Sequence, residues 1–232
     1  MFARSIDVDG HTRSYHLSVP ADAAGPLPVV VALHGKGDTG GDFLEATGLS
    51  ALRALVAAPT GVGLAWSPAL YAHTTLAQDT ALIHAIVDQL EAEYNVDPAR
   101  IYLVGFSNGG GLAALLAARA ARFAGAATVS AAVRITPDEI GRGAHPVDYL
   151  NIHGTYDDVV PYAGEQRSPY SGAADDTTYG AQAVTAAFAT RAGGKGRALH
   201  HRAEAMGHEW PRGTRLDAVE EIANFFGLQR AE

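Results

Sequence analysis

Ile101-Tyr102-Leu103-Val104-Gly105-Phe106-Ser107-Asn108-Gly109-Gly110-Gly111 is the stretch that decides how this chain is read. Its first half is apolar and β-favouring, and it runs into Gly-x-Ser-x-Gly. An Ala/Leu-rich segment, residues 112–119, follows at once and has helix-forming composition. The order is therefore strand, sharp turn, helix, with a serine at the apex. Such a turn presses the residues two before and two after the serine against the strand and the helix. Those places must be nearly free of side chain, and Gly105 and Gly109 meet the requirement. The helix start then aims its unpaired N–H groups and positive dipole end at the serine, which favours an anion forming beside it. A pentapeptide this short also occurs as a plain glycine-rich turn, so the flanking chain has to supply the context.

Upstream, residues 29–33 (Val-Val-Val-Ala-Leu) are a continuous apolar run between turn residues, the pattern of a strand buried on both faces of a parallel sheet. The run ends in His34-Gly35-Lys36-Gly37. Residues 13–19 alternate polar and apolar, as an edge strand with one wet face does. A helix is expected over 42–49 and a strand over 52–58, followed by a loop that carries Trp66, Pro68 and Tyr71. Residues 76–94 place Leu76, Leu82, Ile83, Ile86, Val87 and Leu90 at helical spacing, and Asn95-Val96-Asp97-Pro98 ends that helix.

Downstream, 124–129 and 149–152 read as two further strands, with a loop between them that holds Pro137, Gly141, Gly143 and Pro146. Residues 161–178 read as a long polar loop at the substrate-side rim, with Tyr162 and Tyr170 in it. A helix over 178–192 stopped by Gly193-Gly194, a polar-faced strand over 199–205 and a closing amphipathic helix over 216–226 complete the chain. Strands alternate with helices throughout. The economical architecture is α/β: one domain over 1–232, a mostly parallel central sheet with helices on both faces, and no separate lid domain.

Composition narrows the function classes. The chain has 232 residues and a net charge of −8 without a lysine/arginine run, which argues against a nucleic-acid partner. No apolar stretch reaches membrane-spanning length. The first residues are polar and charged and lack the apolar centre of a signal peptide, so a cytoplasmic protein is expected. There are no cysteines, which removes disulfides, thiol catalysis and cysteine-bound zinc.

A serine nucleophile needs a base within hydrogen-bond reach, and the base needs a carboxylate to fix its tautomer. In this kind of fold the acid follows a late strand and the histidine follows the last one. Tyr149-Leu150-Asn151-Ile152-His153-Gly154-Thr155-Tyr156-Asp157-Asp158 supplies two adjacent acids, Asp157 and Asp158, in a strand-end loop. Ala205-Met206-Gly207-His208 supplies a histidine after the last strand. His200 and His201 lie inside that strand, while His34 and His153 belong to His-Gly turns. The His34-Gly35-Lys36-Gly37 turn offers the Lys36 N–H as one oxyanion donor, with the Asn108 N–H as the other. Asp157, Asp158, His200, His201 and His208 are the possible metal ligands, but their spacing matches no metal motif, and neither metal nor cofactor is expected.

The chain resembles the polyhydroxybutyrate-depolymerase and feruloyl-esterase-like group of the α/β-hydrolase superfamily. The similarity shows in Asp7-Val8-Asp9-Gly10, Pro26-Leu27-Pro28-Val29-Val30-Val31-Ala32-Leu33-His34-Gly35 and Pro59-Thr60-Gly61. It is strongest from Tyr94-Asn95-Val96-Asp97-Pro98-Ala99-Arg100 into the serine block, and returns in His153-Gly154-Thr155-x-Asp157-x-Val159-Val160-Pro161 and Gly207-His208-x-Trp210-Pro211. The resemblance implies Ser107 as nucleophile, Asp157 rather than Asp158 as acid, and His208 as base. Many secreted relatives of the group carry cysteine where Lys36 stands. The lysine either favours an anionic substrate or points to solvent, and solvent is the expected direction.

The expected function is hydrolysis of a small or oligomeric carboxylic ester through an acyl-enzyme. Trp66, Tyr71, Tyr162, Tyr170 and Trp210 are candidate walls of the substrate pocket. A thioesterase or lysophospholipase-type activity would use the same three groups. A non-catalytic binding protein on this scaffold would not need all three.

Overall fold

The computed structural model describes residues 1–21, 25–166 and 176–230. The apolar runs form the centre of an eight-stranded sheet. Its strands are β1 (Phe2–Val8), β2 (His11–Ser18), β3 (Leu27–Leu33), β4 (Leu55–Pro59), β5 (Val96–Phe106), β6 (Gly125–Val129), β7 (Asp148–Gly154) and, later in the chain, β10 (Ala198–Ala203). Their spatial order is β1-β2-β4-β3-β5-β6-β7-β10. The β1–β2 and β2–β4 pairs are antiparallel and the rest are parallel. A separate two-stranded ribbon joins β8 (Gly164–Glu165) to β9 (Thr178–Tyr179).

β3, β4 and β6 are buried along their whole length, as their unbroken apolar runs require. Alternate side chains enter two cores. Val29, Val31 and Leu33 face one side with Leu103, and Val30 and Ala32 face the other with Val104. The first core is covered by α2 (Leu76–Glu93), α3 (Ser107–Arg119), α4 (Pro137–Gly141) and α5 (Ala181–Thr190), through residues such as Leu82, Leu112, Ile140 and Phe188. The second is covered by α1 (Gly40–Thr47) and α6 (Ala218–Phe226), through Phe43, Ile222 and Phe226. The helices start on their capping residues. Thr39 accepts from the Asp42 N–H at α1, and Thr75 with Gln78 forms a reciprocal capping box at α2.

The strand order reverses direction between β3 and β5. In an open parallel sheet the crevice outside the carboxyl ends at such a point is where ligands sit. His34-Gly35 leaves β3 there and Ser107 leaves β5 there.

Several elements depart from the sequence expectation. Residues 2–8, read as a polar start, are the edge strand β1, whose exposed, charged outer face hides its apolar alternation at Ile6 and Val8. Asn95-Val96-Asp97-Pro98 does not separate helix from strand, because β5 already begins at Val96, opposite Leu27. The stretch read as a loop around Pro137 holds the short helix α4, with Pro137 in its first turn and Thr136 accepting from the Glu139 N–H. The helix expected over 178–192 begins three residues late, since Thr178 and Tyr179 pair with Gly164 and Glu165. Residues 52–54 precede rather than form β4.

Candidate active site

Ser107 sits at φ +52° in the left-handed region, a conformation that costs a non-glycine residue energy and holds its side chain out of the turn. The neighbours explain how it is held. A Cβ on Gly105 would stand 2.5 Å from the Gly109 carbonyl oxygen, and one on Gly109 would overlap the Leu33 and His34 carbonyl oxygens. The elbow is thus pressed against the end of β3 as well as its own strand.

His208 Nε2 lies 3.0 Å from Ser107 Oγ, and His208 Nδ1 lies 2.9 Å from Asp157 Oδ2. A carboxylate only accepts, so Nδ1 carries the proton, and Nε2 is left bare to accept from the serine hydroxyl. Asp157 follows β7 and is buried, while Asp158 is exposed. Its Oδ1 accepts from the N–H groups of Val159 (3.0 Å) and Val160 (2.7 Å). Burial pushes the Asp157 carboxyl up. Hydrogen bonds from His153, His208 and the Val160 N–H outweigh that and hold it well below the usual carboxylate range. That favours the ionised form of Asp157 beside His208.

The His-Gly turn after β3 is pinned from several sides. His34 donates through Nδ1 to the Gly35 carbonyl (2.7 Å) and accepts at Nε2 from the Gly61 N–H (2.9 Å). Burial keeps this imidazole neutral by pushing its pKa down, as that donor–acceptor pattern requires. The Trp66 indole N–H donates to the His34 carbonyl (3.1 Å). Asn108 completes the brace: its Oδ1 accepts from the Trp66 N–H (2.7 Å) and its Nδ2 donates to the Trp66 carbonyl (2.9 Å). One buried tryptophan thus ties the β3 turn to the first turn of α3. Asn108 is the second residue of that helix, so its own N–H has no acceptor within the helix.

A cavity of about 300 Å³ opens on Ser107 and His208 and is lined in part by Gly35, Lys36, Tyr71, Phe106, Arg134, Val160, Glu165 and Thr178. Tyr71 lines this cavity. Lys36 is exposed, and its ammonium also lies 4.4 Å from the centre of the Tyr71 ring. Arg134 approaches the same ring at 5.8 Å and is held by Asp176 at 2.5 and 3.1 Å.

Three of the expected pocket walls lie elsewhere. Trp66 has no exposed surface and does its work in the brace. The Tyr162 hydroxyl is taken up by His200 Nε2 at 2.6 Å, with the ring edge-on to His153. Trp210 packs against Phe43 and Phe106. Tyr170 lies outside the described residues. Phe106, Arg134, Glu165 and Thr178 are lining residues that the sequence motifs do not single out. Arg134 has a usable signal, since it follows the end of β6 and loops at that end of a parallel sheet line the crevice. Among the described residues, no group of three or more His, Asp or Glu side chains converges to hold a metal ion. No helix among them is long and apolar enough to cross a membrane.

The family model BD-FAE matches residues 16–131, half of the chain, from β2 through the Ser107 turn to the turn after β6. The chain belongs to the BD-FAE family. The matched part contains the His34 turn and Ser107, whereas Asp157 and His208 lie beyond it. Among curated proteins, the chain is 35% identical over 179 residues to NocK from Nocardia uniformis subsp. tsuyamanensis, an esterase by name, covering 72% of this chain and 52% of that one. It is 34% identical over 164 residues to feruloyl esterase C of Emericella nidulans, covering 66% and 57%. The chain spans only about half the length of these curated relatives. Among solved structures, esterase PE8 superposes with a TM-score of 0.66 at 23% identity, covering 93% of this chain and 98% of that one. Est1E from Butyrivibrio proteoclasticus gives 0.67 at 17% identity, covering 97% and 99%. These likenesses show that this BD-FAE member has the α/β-hydrolase fold.

Proposed function

We propose that this BD-FAE member is a serine hydrolase that cleaves carboxylic esters through an acyl-enzyme. The observation that carries the reading is the unbroken line from Ser107 Oγ to His208 (3.0 Å) and from His208 to Asp157 (2.9 Å) beside an open cavity. His208 takes the proton from Ser107 as its oxygen attacks the ester carbonyl, and Asp157 stabilises the imidazolium that forms. The carbonyl oxygen becomes an anion facing the N–H groups of Lys36 and Asn108. His208 then gives its proton to the leaving alkoxide. In the second half it takes a proton from the water that attacks the acyl carbonyl and returns it to Ser107 Oγ as the acid is released. The elbow strain, the acid's four hydrogen-bond donors and the brace on Asn108 all serve this sequence. The esterase names of the relatives point the same way. A cavity of about 300 Å³ suits one side of a small ester.

The test is a fluorophosphonate probe followed by intact-mass spectrometry, beside Ser107→Ala and His208→Ala. A single adduct at Ser107, absent in Ser107→Ala and slowed in His208→Ala, is expected, together with turnover of short-chain aryl esters. A folded protein that takes no adduct and turns over no ester overturns the reading.

A further inference from the structure

His153 is the last residue but one of β7, with 2% exposure, four residues before Asp157. Its Nε2 lies 2.8 Å from the Val160 carbonyl oxygen and 3.3 Å from Asp157 Oδ2. Both partners only accept, so Nε2 carries a proton and shares it between them. Its Nδ1 is buried and meets no hydrogen-bond partner among the described residues. A proton on Nδ1 would be a buried N–H with no acceptor among the described residues, so the ring proton belongs on Nε2. The groups around it agree. Tyr162 meets it edge-on, and His200 on β10 takes up the Tyr162 hydroxyl. Arg202, opposite His153 in the β7–β10 register, sends its guanidinium toward the outer side of Tyr162. Asp157 is the charged partner on the remaining side, with His208 beyond it.

We propose that His153, neutral and with its proton on Nε2, is a positioning residue: it fixes the Asp157 carboxylate that orients His208 without placing a second cation beside it. Asp157 Oδ2 then faces two N–H groups, that of His208 at 2.9 Å and that of His153 at 3.3 Å, while Oδ1 receives the two backbone ones. The carboxylate cannot rotate without breaking several bonds at once. A lysine or arginine in the same place would hold it equally well, but would repel the imidazolium that forms on His208. A neutral donor leaves the full negative charge of Asp157 for that imidazolium. This inference rests on the proposed roles of Ser107, Asp157 and His208.

The test compares His153→Leu and His153→Gln in the full chain. The glutamine amide N–H reaches the place of Nε2, whereas leucine fills the space without a donor. Leucine is expected to lower kcat by roughly tenfold with little change in KM. It is also expected to move the acid limb of kcat/KM to higher pH, because a carboxylate with one donor fewer pairs more strongly with the imidazolium. Glutamine is expected to restore both. If the leucine variant does not fold, His153→Asn, whose amide is too short to reach Asp157, is read in its place. A folded leucine variant with the native kcat and pH profile overturns the inference. So does an equal loss in both variants with the acid limb unmoved, which would mark a packing role. Turnover is not needed for the second readout, the downfield proton resonance of the His208–Asp157 bond. It should keep its native position and width in the glutamine variant and be shifted or broadened in the leucine variant; an unchanged signal in the leucine variant overturns the inference. If the native chain takes no fluorophosphonate, the esterase reading falls, and the resonance still decides the role of His153.

Discussion

Ser107 and His208 are 101 residues apart in the chain, yet Oγ and Nε2 lie 3.0 Å apart. Three separate strand ends achieve this. β5 delivers the serine, β7 the aspartate and β10 the histidine, all at the carboxyl edge of the same sheet. The two side chains act as a unit, so each alone should matter nearly as much as both. Ser107→Ala and His208→Ala are each expected to lower kcat on an aryl ester by about 10³-fold or more, with thermal stability little changed. The double variant should lose no more than either single one. Turnover of the folded Ser107→Ala protein at the native rate would sink the nucleophile assignment.

Acid should weaken the fold before it reaches the carboxylates. His34, His84 and His200 each have a pKa pushed below the ordinary 6.5, with burial as the leading cause. In the unfolded chain all three take protons as pH falls through that value, while the folded chain resists. The unfolded state therefore binds more protons, and stability rises with pH across this window. Their contribution is fully present above 6.5 and is lost as pH falls toward the folded values. A series of urea melts from about pH 8 to about pH 5 should show a falling midpoint at constant slope. Activity should decline in the same direction, since a protonated His208 cannot accept the proton of Ser107. A midpoint that rises on acidification contradicts the sign.

How much of the fold and the site is legible in the sequence depends on the kind of signal. The elbow is fully legible, because Gly105 and Gly109 mark contacts between backbones that no other residue allows. Spacing alone narrows the acid to a pair, and the family resemblance is what picks Asp157. Asp157 and Asp158 look alike as letters, and burial of the first beside His208 is a tertiary fact. The aromatic walls mislead for a physical reason. A tryptophan in a loop next to a catalytic turn suits a pocket wall and a structural brace equally well. The choice for Trp66 is made by its N–H and C=O meeting the amide of Asn108, 42 residues away. β1 is hard to see because an edge strand with one solvated face carries few apolar residues. The role of His153 is set by two acceptors converging on one nitrogen, a geometry that leaves no spacing in the sequence.

Gly109 provides a stability test of the elbow. An alanine there drives its Cβ into the carbonyl oxygens of Leu33 and His34, which belong to the end of a central strand and cannot move freely. Gly109→Ala should cost about 1–3 kcal/mol, the usual range for overpacking, and should also lower kcat because α3 must shift away from the turn. Gly141→Ala is the matched control. The nearest atom to its Cβ would be 3.7 Å away, an ordinary contact, so its melting temperature should stay near that of the native protein. Equal melting temperatures for the two variants would show that the elbow is looser than its geometry implies.

Asn108 allows the brace to be separated from the oxyanion donor itself. Its backbone N–H is the proposed donor, and its side chain makes both bonds to the Trp66 backbone. Asn108→Ala keeps the donor and removes the brace, leaving a buried N–H and a buried C=O on Trp66 unpaired. Each orphaned group costs about 1–3 kcal/mol, so the variant should be clearly less stable. Where it remains folded, the first turn of α3 and the turn after β3 are no longer tied together. Donors that drift from the developing anion lose transition-state stabilisation and leave substrate binding almost untouched. The expected result is a kcat lower by roughly 10- to 100-fold with KM nearly constant, short of the loss seen when a donor is deleted outright. Asn108→Asp keeps the acceptor for the Trp66 N–H but sets a carboxylate oxygen against the Trp66 carbonyl, so it should be no better than alanine. A folded alanine variant with native kcat would show that the Trp66–Asn108 bonds support the fold alone. A rise in KM at constant kcat would instead place Asn108 in substrate binding.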